Sequence, residues 1–293
     1  MSTIQRVLFA VDFSPGCQAL VPTVRRMIEY WQTEVTLLHV IEAKQWLGRK
    51  HELERLMASM RMIAREGLGD RRVICRLERG AAGERILEYI RAKQVDLVVV
   101  SAGKSSGRSG CVIGSVADQV LAEAPCSVWL DWGSTRFNPQ AGMYARRVGC
   151  ALTDDESDEY ILRQAEDISG DLSAGLTVIQ AVSPPLSSSR VVLLWDQRAR
   201  DAAVIMAKRR IEALWRPFLT RPEVAVEVGS HHAVVSRIIQ SRQMGLLVTG
   251  DLREAILAAQ SECPVLRLPS TAIGANRAAE PELRYAMAAG GSA

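Results

Sequence analysis

The chain has 293 residues, 48% of them hydrophobic and 24% charged, a globular composition long enough for about two domains, each able to bury a core. The formal charge of +3, from 36 basic and 33 acidic side chains, is too even to suggest nucleic-acid binding, and no apolar run approaches the roughly 18 residues of a membrane helix. The six cysteines, Cys17, Cys75, Cys111, Cys126, Cys150 and Cys263, form no C-x-x-C or metal-spaced pair, which favours a reduced cytoplasmic setting over redox or metal chemistry.

The first apolar run, Arg6 to Asp12, lacks a small-residue cleavage site and reads as a strand, not a signal peptide. Ser14-Pro15 caps a helix with Leu20, Val24, Met27, Ile28 and Trp31 at helical spacing. A second strand spans Glu34 to Ile41, and a second helix presents Leu53, Leu56, Met57, Met60 and Ile63. A third strand covers Arg72 to Leu77, followed by a helix with Ile86, Leu87 and Ile90. The fourth strand, Asp96 to Val100, is apolar throughout, as a strand buried on both faces must be. A fourth helix from about Gly114 to Glu123 and a fifth strand from Ser127 to Trp132 complete the unit.

The unit then repeats. Val7–Val11 and Val35–Ile41 recur at an offset of 141 residues as Val148–Leu152 and Leu176–Val182. Arg79–Ser101 recurs at an offset of 149 as Val228–Gly250, and Cys126–Leu130 at 137 as Cys263–Arg267. The second copy therefore gains residues around Ser183 to Arg190 and loses twelve near its end. Strands alternating with helices predict two tandem, doubly wound, five-stranded parallel α/β sheets with right-handed crossovers. The expected boundaries are a domain over 1–133, a second over 146–270, a linker from Gly133 to Ala145, and a disordered Ala- and Gly-rich tail over 271–293.

In chain order the first copy shows Val11-Asp12-Phe13-Ser14, His39-Val40, Gly80-Ala81-Ala82-Gly83-Glu84-Arg85-Ile86, Val95-Asp96-Leu97-Val98-Val99-Val100, Gly114-Ser115-Val116-Ala117, and Ala124-Pro125-Cys126-Ser127-Val128. This order resembles the universal stress protein family over essentially all of the first copy, and more weakly over the second. The resemblance implies a Rossmann-like, adenine nucleotide alpha hydrolase-like fold and a stress-response protein that binds ATP or another adenine nucleotide. The implied site comprises Ala10, Asp12, Val40, Val100, Ser101, Lys104, Gly107, Gly110, Gly114, Ser115 and Val116. Asp12 and the backbone of Val40 would serve the nucleoside, though Asp12 equally suits the turn into the first helix. The loop and the Gly114-Ser115 helix start would serve the phosphates, through free N–H groups and the helix dipole. Ser101 and Lys104 stand where the family pattern has glycines, while Lys104 and Arg108 add positive charge to the loop. The resemblance also implies pairing of fifth strands, which in a tandem chain becomes an intramolecular pseudo-dimer.

In the second copy Gly250 aligns with Ser101 and Asp251 with Gly114, so the missing stretch is Ala102 to Ile113, the phosphate loop. Thr153 replaces Asp12, and the acids Asp154, Asp155, Glu156, Asp158 and Glu159 read as a solvated helix N-terminus, with magnesium binding the weaker alternative. His231-His232 opens the third helix of the second copy; two adjacent histidines do not face one metal on a helix and no third ligand is evident, so the pair reads as a polar feature without metal chemistry. His39 has no Ser or Cys partner for nucleophilic catalysis, and the tryptophans read as packing. The expectation is nucleotide in the first copy only. The alternatives are a ligand-free scaffold for a protein partner, slow ATP hydrolysis, or an alkyl-transferring or adenylating enzyme. No catalytic constellation, nucleic-acid surface or membrane segment stands out.

Overall fold

A computed structural model describes residues 4–42, 50–69, 72–103, 113–133, 147–183, 197–215, 221–261 and 263–269. In the first half, β1 (Arg6–Ala10), β2 (Glu34–Ile41), β3 (Val73–Arg79), β4 (Leu97–Ser101) and β5 (Ser127–Asp131) alternate with α1 (Pro15–Ala19), α2 (Val21–Trp31), α3 (Lys50–Met62), α4 (Ala82–Lys93) and α5 (Ser115–Glu123). The second half repeats them as β6 (Arg147–Leu152), β7 (Gly175–Val182), β8 (Glu223–Val228), β9 (Leu246–Thr249) and β10 (Val265–Arg267), with α6 (Asp158–Asp171), α7 (Gln197–Trp215), α8 (His231–Ser241) and α9 (Leu252–Gln260).

Each half is a parallel, doubly wound sheet, as the alternating pattern demands. The fifth strands then pair antiparallel, with Leu266 opposite Trp129 and Arg267 opposite Val128. The two five-stranded sheets thereby become one ten-stranded sheet of order β3-β2-β1-β4-β5-β10-β9-β6-β7-β8. The pairing expected between Ser127–Trp132 and Pro264–Leu268 is therefore present, and it merges the two sheets into one. The linker and the tail lie outside the described residues.

Strand side chains alternate between two faces, and each face carries one core that crosses both halves. Phe9, Leu37, Val99 and Trp129 share a layer with Cys150, Val178 and Leu266. Leu8, Val98, Val128 and Leu130 share the other with Ile179, Leu247 and Val265. Polar ties reinforce the junction. Trp132 Nε1 donates to Ala259 O at 2.5 Å, Trp31 Nε1 to Asp171 Oδ2 at 2.6 Å, and the buried Arg267 to Leu121 O at 2.8 Å. Trp31 and Trp132 thus bridge the halves, and Trp129 packs in the core.

Two local departures from the sequence expectation have physical causes. The first helix is split: Ser14 caps α1 through the Cys17 N–H at 3.1 Å, and Pro22, which has no N–H to give, sits in the opening turn of α2. The second helix widens into a single π turn over Ile63–Gly67, where Leu68 N–H reaches back five residues to Ile63 O at 3.0 Å.

Candidate functional site

A cavity of about 140 Å³ opens at the carboxyl ends of β1, β2 and β4. In the order β3-β2-β1-β4-β5 the chain winds outward in opposite directions from β1 and β4, and a ligand cleft is expected where that winding reverses. Ala10, Val11 and Asp12 line it from β1 and its exit, Leu38, His39 and Val40 from β2, and Val100 and Ser101 from β4. The opening turns of two helices close it: Ala82 and Ile86 of α4, and Val116 and Ala117 of α5.

Of the residues expected from sequence, Ala10, Asp12, Val40, Val100, Ser101 and Val116 meet at this cavity. Gly114 caps α5 and Ser115 is its first residue; neither lines the cavity. Lys104, Gly107 and Gly110, with Arg108, lie outside the described residues. Asp12 shapes the turn and also lines the cavity. Its Oδ1 accepts the Ser14 N–H at 2.9 Å, shaping the turn, while the residue itself stays exposed at the cavity. Phe13 takes the left-handed conformation that this turn requires (φ 60°). His39 is held rather than free: its Nδ1 lies 2.6 Å from Val11 O, and its ring stands 4.8 Å from that of Phe13. Among the described residues the buried Ser101 Oγ has no hydrogen-bond partner, which leaves a donor and acceptor on the wall.

The start of α5 is more specific than the sequence suggested. Gly114 N–H already donates to Ala102 O at 2.8 Å, which leaves the first-turn amides beyond it as orphan donors. A Cβ at Gly114 would meet Ala102 O at 3.7 Å and Gly103 Cα at 3.8 Å, ordinary contacts, and its φ of −66° suits any residue. The fold does not demand glycine there.

The second half fills the equivalent space with its own side chains. At the repeat offsets, Ala82 becomes His231, Ala117 becomes Glu254 and Val100 becomes Thr249. Glu254 is fully buried; its Oε2 accepts the Thr249 hydroxyl, and its Oε1 meets His231 Nε2. Burial, helped by Asp251, Asp158 and Asp155, pushes the Glu254 carboxyl up to about 8, and burial lowers His231. Around neutrality the carboxyl holds its proton beside the imidazole. His231 opens α8, where the sequence placed it, and, beyond the sequence reading, meets a buried acid 23 residues further on.

In the acidic turn, Asp158 departs from the solvated reading. Asp158 is fully buried. It accepts the Thr153 and Asp154 N–H groups at 3.0 Å each and Arg210 Nη2 of α7 at 2.7 Å. Arg210 Nε also meets Asp154 at 2.8 Å. Asp154, Asp155, Glu156 and Glu159 stay exposed, as a solvated helix N-terminus requires, and Asp158 alone of the five is both withdrawn from solvent and paired. Among the described residues no group of three or more His, Cys, Asp or Glu could hold a metal. The thiols of Cys17 and Cys126 are buried and pushed up to about 12 by burial, and burial raises Cys150 well above the ordinary thiol value, so none of these three is a thiolate nucleophile near neutral pH. No described helix is long and apolar enough to cross a membrane.

An open parallel sheet wound on both faces, with a cleft at its winding reversal, defines the Rossmann-like class of ligand-binding α/β proteins. Within that class, the model of the universal stress protein family matches residues 3–130. The same architecture over nearly the whole chain occurs in a universal stress protein from Archaeoglobus fulgidus (TM-score 0.63, 14% identity, 92% of this chain and 99% of that one). It occurs also in a Pseudomonas aeruginosa PAO1 protein of unknown function (TM-score 0.65, 17% identity, 93% and 95%). A search of curated proteins finds no match. The first copy thus matches the universal stress protein family model, and the two-copy architecture of the whole chain is similar to that of these solved structures.

Proposed function

We propose that the chain is a cytoplasmic stress-response protein whose first half binds an adenine nucleotide, while its second half is a structural partner. In this reading the units are 1–133 and 146–270. The observation that carries it is the contrast at the cleft. Two alanines, Ala82 and Ala117, leave space in the first half, whereas His231 and Glu254 fill the same positions in the second. The cavity of about 140 Å³ is below the several hundred of a whole drug-sized site, and suits a base or ribose with the phosphates directed outward to the α5 amides. Ala10, Asp12, Val40, Val100, Ser101 and Val116 would hold the nucleoside end. Ser115 and the loop with Lys104, Gly107 and Gly110 would hold the phosphates, with Gly114 giving them close approach.

Isothermal titration of the intact chain with ATP tests this: one site per chain is expected. Two equivalent sites would refute the asymmetry. Absence of binding would favour the second reading, a ligand-free scaffold for a protein partner, which Ser101 and Lys104 at family glycine positions support. Neither reading assigns a general base or a catalytic carboxylate, so hydrolysis stays a minor possibility with slow turnover.

A further inference from the structure

A second, larger cavity of about 340 Å³ lies at the opposite end of the first half, beside the amino-terminal ends of β1, β2 and β3. Strand register explains its walls. Arg6 pairs with Glu34, and Thr36 with Ile74 and Leu38 with Arg76. Residues two apart share a face, so these side chains rise on the side of the sheet that α4 covers. β3 is the outermost strand, and the last turns of α4, carrying Tyr89 and Lys93, border the open space beside it. Three cations, Arg6, Arg76 and Lys93, and one carboxylate, Glu34, line it. Arg6 spends Nη1 on Lys93 O at 3.0 Å. Among the described residues, no carboxylate pairs with Arg6, Arg76 or Lys93.

The second half shows what chemistry such walls accept. Thr177 pairs with Glu223 as Thr36 pairs with Ile74, so Glu223 occupies the position of Ile74. Its carboxylate lies 3.7 Å from Arg147, the counterpart of Arg6, and 2.5 Å from Arg242, the counterpart of Lys93. It also takes the Thr177 hydroxyl at 3.5 Å, the counterpart of Thr36. A carboxylate therefore sits among two cations and a threonine, supplied by the chain itself. In the first half the cations and the threonine are retained, Arg76 is added where the second half has Ala225, and the carboxylate is gone.

We propose that this first-half cavity is a binding site for a small organic carboxylate. Its carboxylate would take the place held by that of Glu223 in the second half, and its apolar body would lie against Ile74 and Val95. Arg6 and Lys93 supply the cations that Glu223 uses, and Arg76 adds a fork suited to bidentate carboxylate contact. Glu34 at the wall selects against compact, multiply charged anions such as inorganic phosphate. The volume lies within the range of small-molecule sites, and the site is separate from the cleft at the carboxyl ends of the strands.

Benzoate, with neutral benzamide and inorganic phosphate as comparators, tests the proposal by amide-shift NMR on the full chain. Benzoate should move the Thr36, Ile74 and Tyr89 resonances saturably, whereas benzamide and phosphate should not at the same concentrations. Arg76→Gln, at an exposed position, should raise the midpoint at least tenfold, the worth of about one charge-assisted hydrogen bond. Ile74→Glu installs the carboxylate of the second half and should abolish the response while retaining the native spectrum elsewhere. The proposal is overturned if benzoate gives no saturable shift, if benzamide or phosphate matches it, or if Arg76→Gln leaves the midpoint unchanged.

Discussion

Glu254→Gln isolates the buried acid of the second half. The Glu254 carboxyl is raised from an ordinary 4.5 to about 8, chiefly by burial. A raised folded value means that the stabilisation is fully present below the unfolded value and is lost as pH rises through the folded one. His231 works the other way: its lowered value costs stability only below its ordinary 6.5. From about pH 6.5 to about pH 9 the Glu254 contribution therefore stands alone, and at ~1.36 kcal/mol per unit it amounts to about 2 kcal/mol. Glutamine keeps an N–H for His231 and an oxygen for Thr249 but has no proton to lose. Urea denaturation of both proteins, followed by tryptophan fluorescence across this range, should show wild-type stability falling by about 2 kcal/mol relative to the variant. Parallel curves, or a steeper fall in the variant, would refute the buried, protonated carboxyl.

Three further outcomes are expected. Gly114→Leu should lower ATP affinity about tenfold to a hundredfold, by removing one or two phosphate hydrogen bonds. The thermal midpoint should barely move, since the fold leaves room for a Cβ; titration and melting read the two separately. Arg210→Ala strands the fully buried Asp158 and should destabilise the chain by about 3 kcal/mol, much of it recovered by adding Asp158→Asn, as measured in denaturant. Replacing Asp154 and Asp155 together with alanine should leave the ATP titration unchanged, because both belong to the half whose cleft is filled.

The strands were legible because most are apolar runs between turn residues, β4 apolar up to its last residue; β2 was read to the residue. The join between halves was legible from an apolar fifth strand that would otherwise present an open edge. The decisive site residues were not. Ala82 and Ala117 matter by being small, and alanine at the start of a helix sends no local signal. The partners Glu254 and His231 sit on different helices, and Asp158 meets an arginine 52 residues away. Periodicity reports which face a residue takes, not which distant charge it meets. Only superposing the two copies at offsets of 149 and 137 residues, and seeing His and Glu fall on those alanines, exposes the pair.

The antiparallel seam between β5 and β10 also bears on dilution. A pair of separate subunits comes apart as protein concentration falls, and trades partners with any similar subunit nearby. Here both sides of the seam belong to one polypeptide, so their meeting is unimolecular and independent of expression level. Each chain always has one open cleft and one filled cleft in fixed proportion, and its central strands offer no vacancy to a foreign subunit.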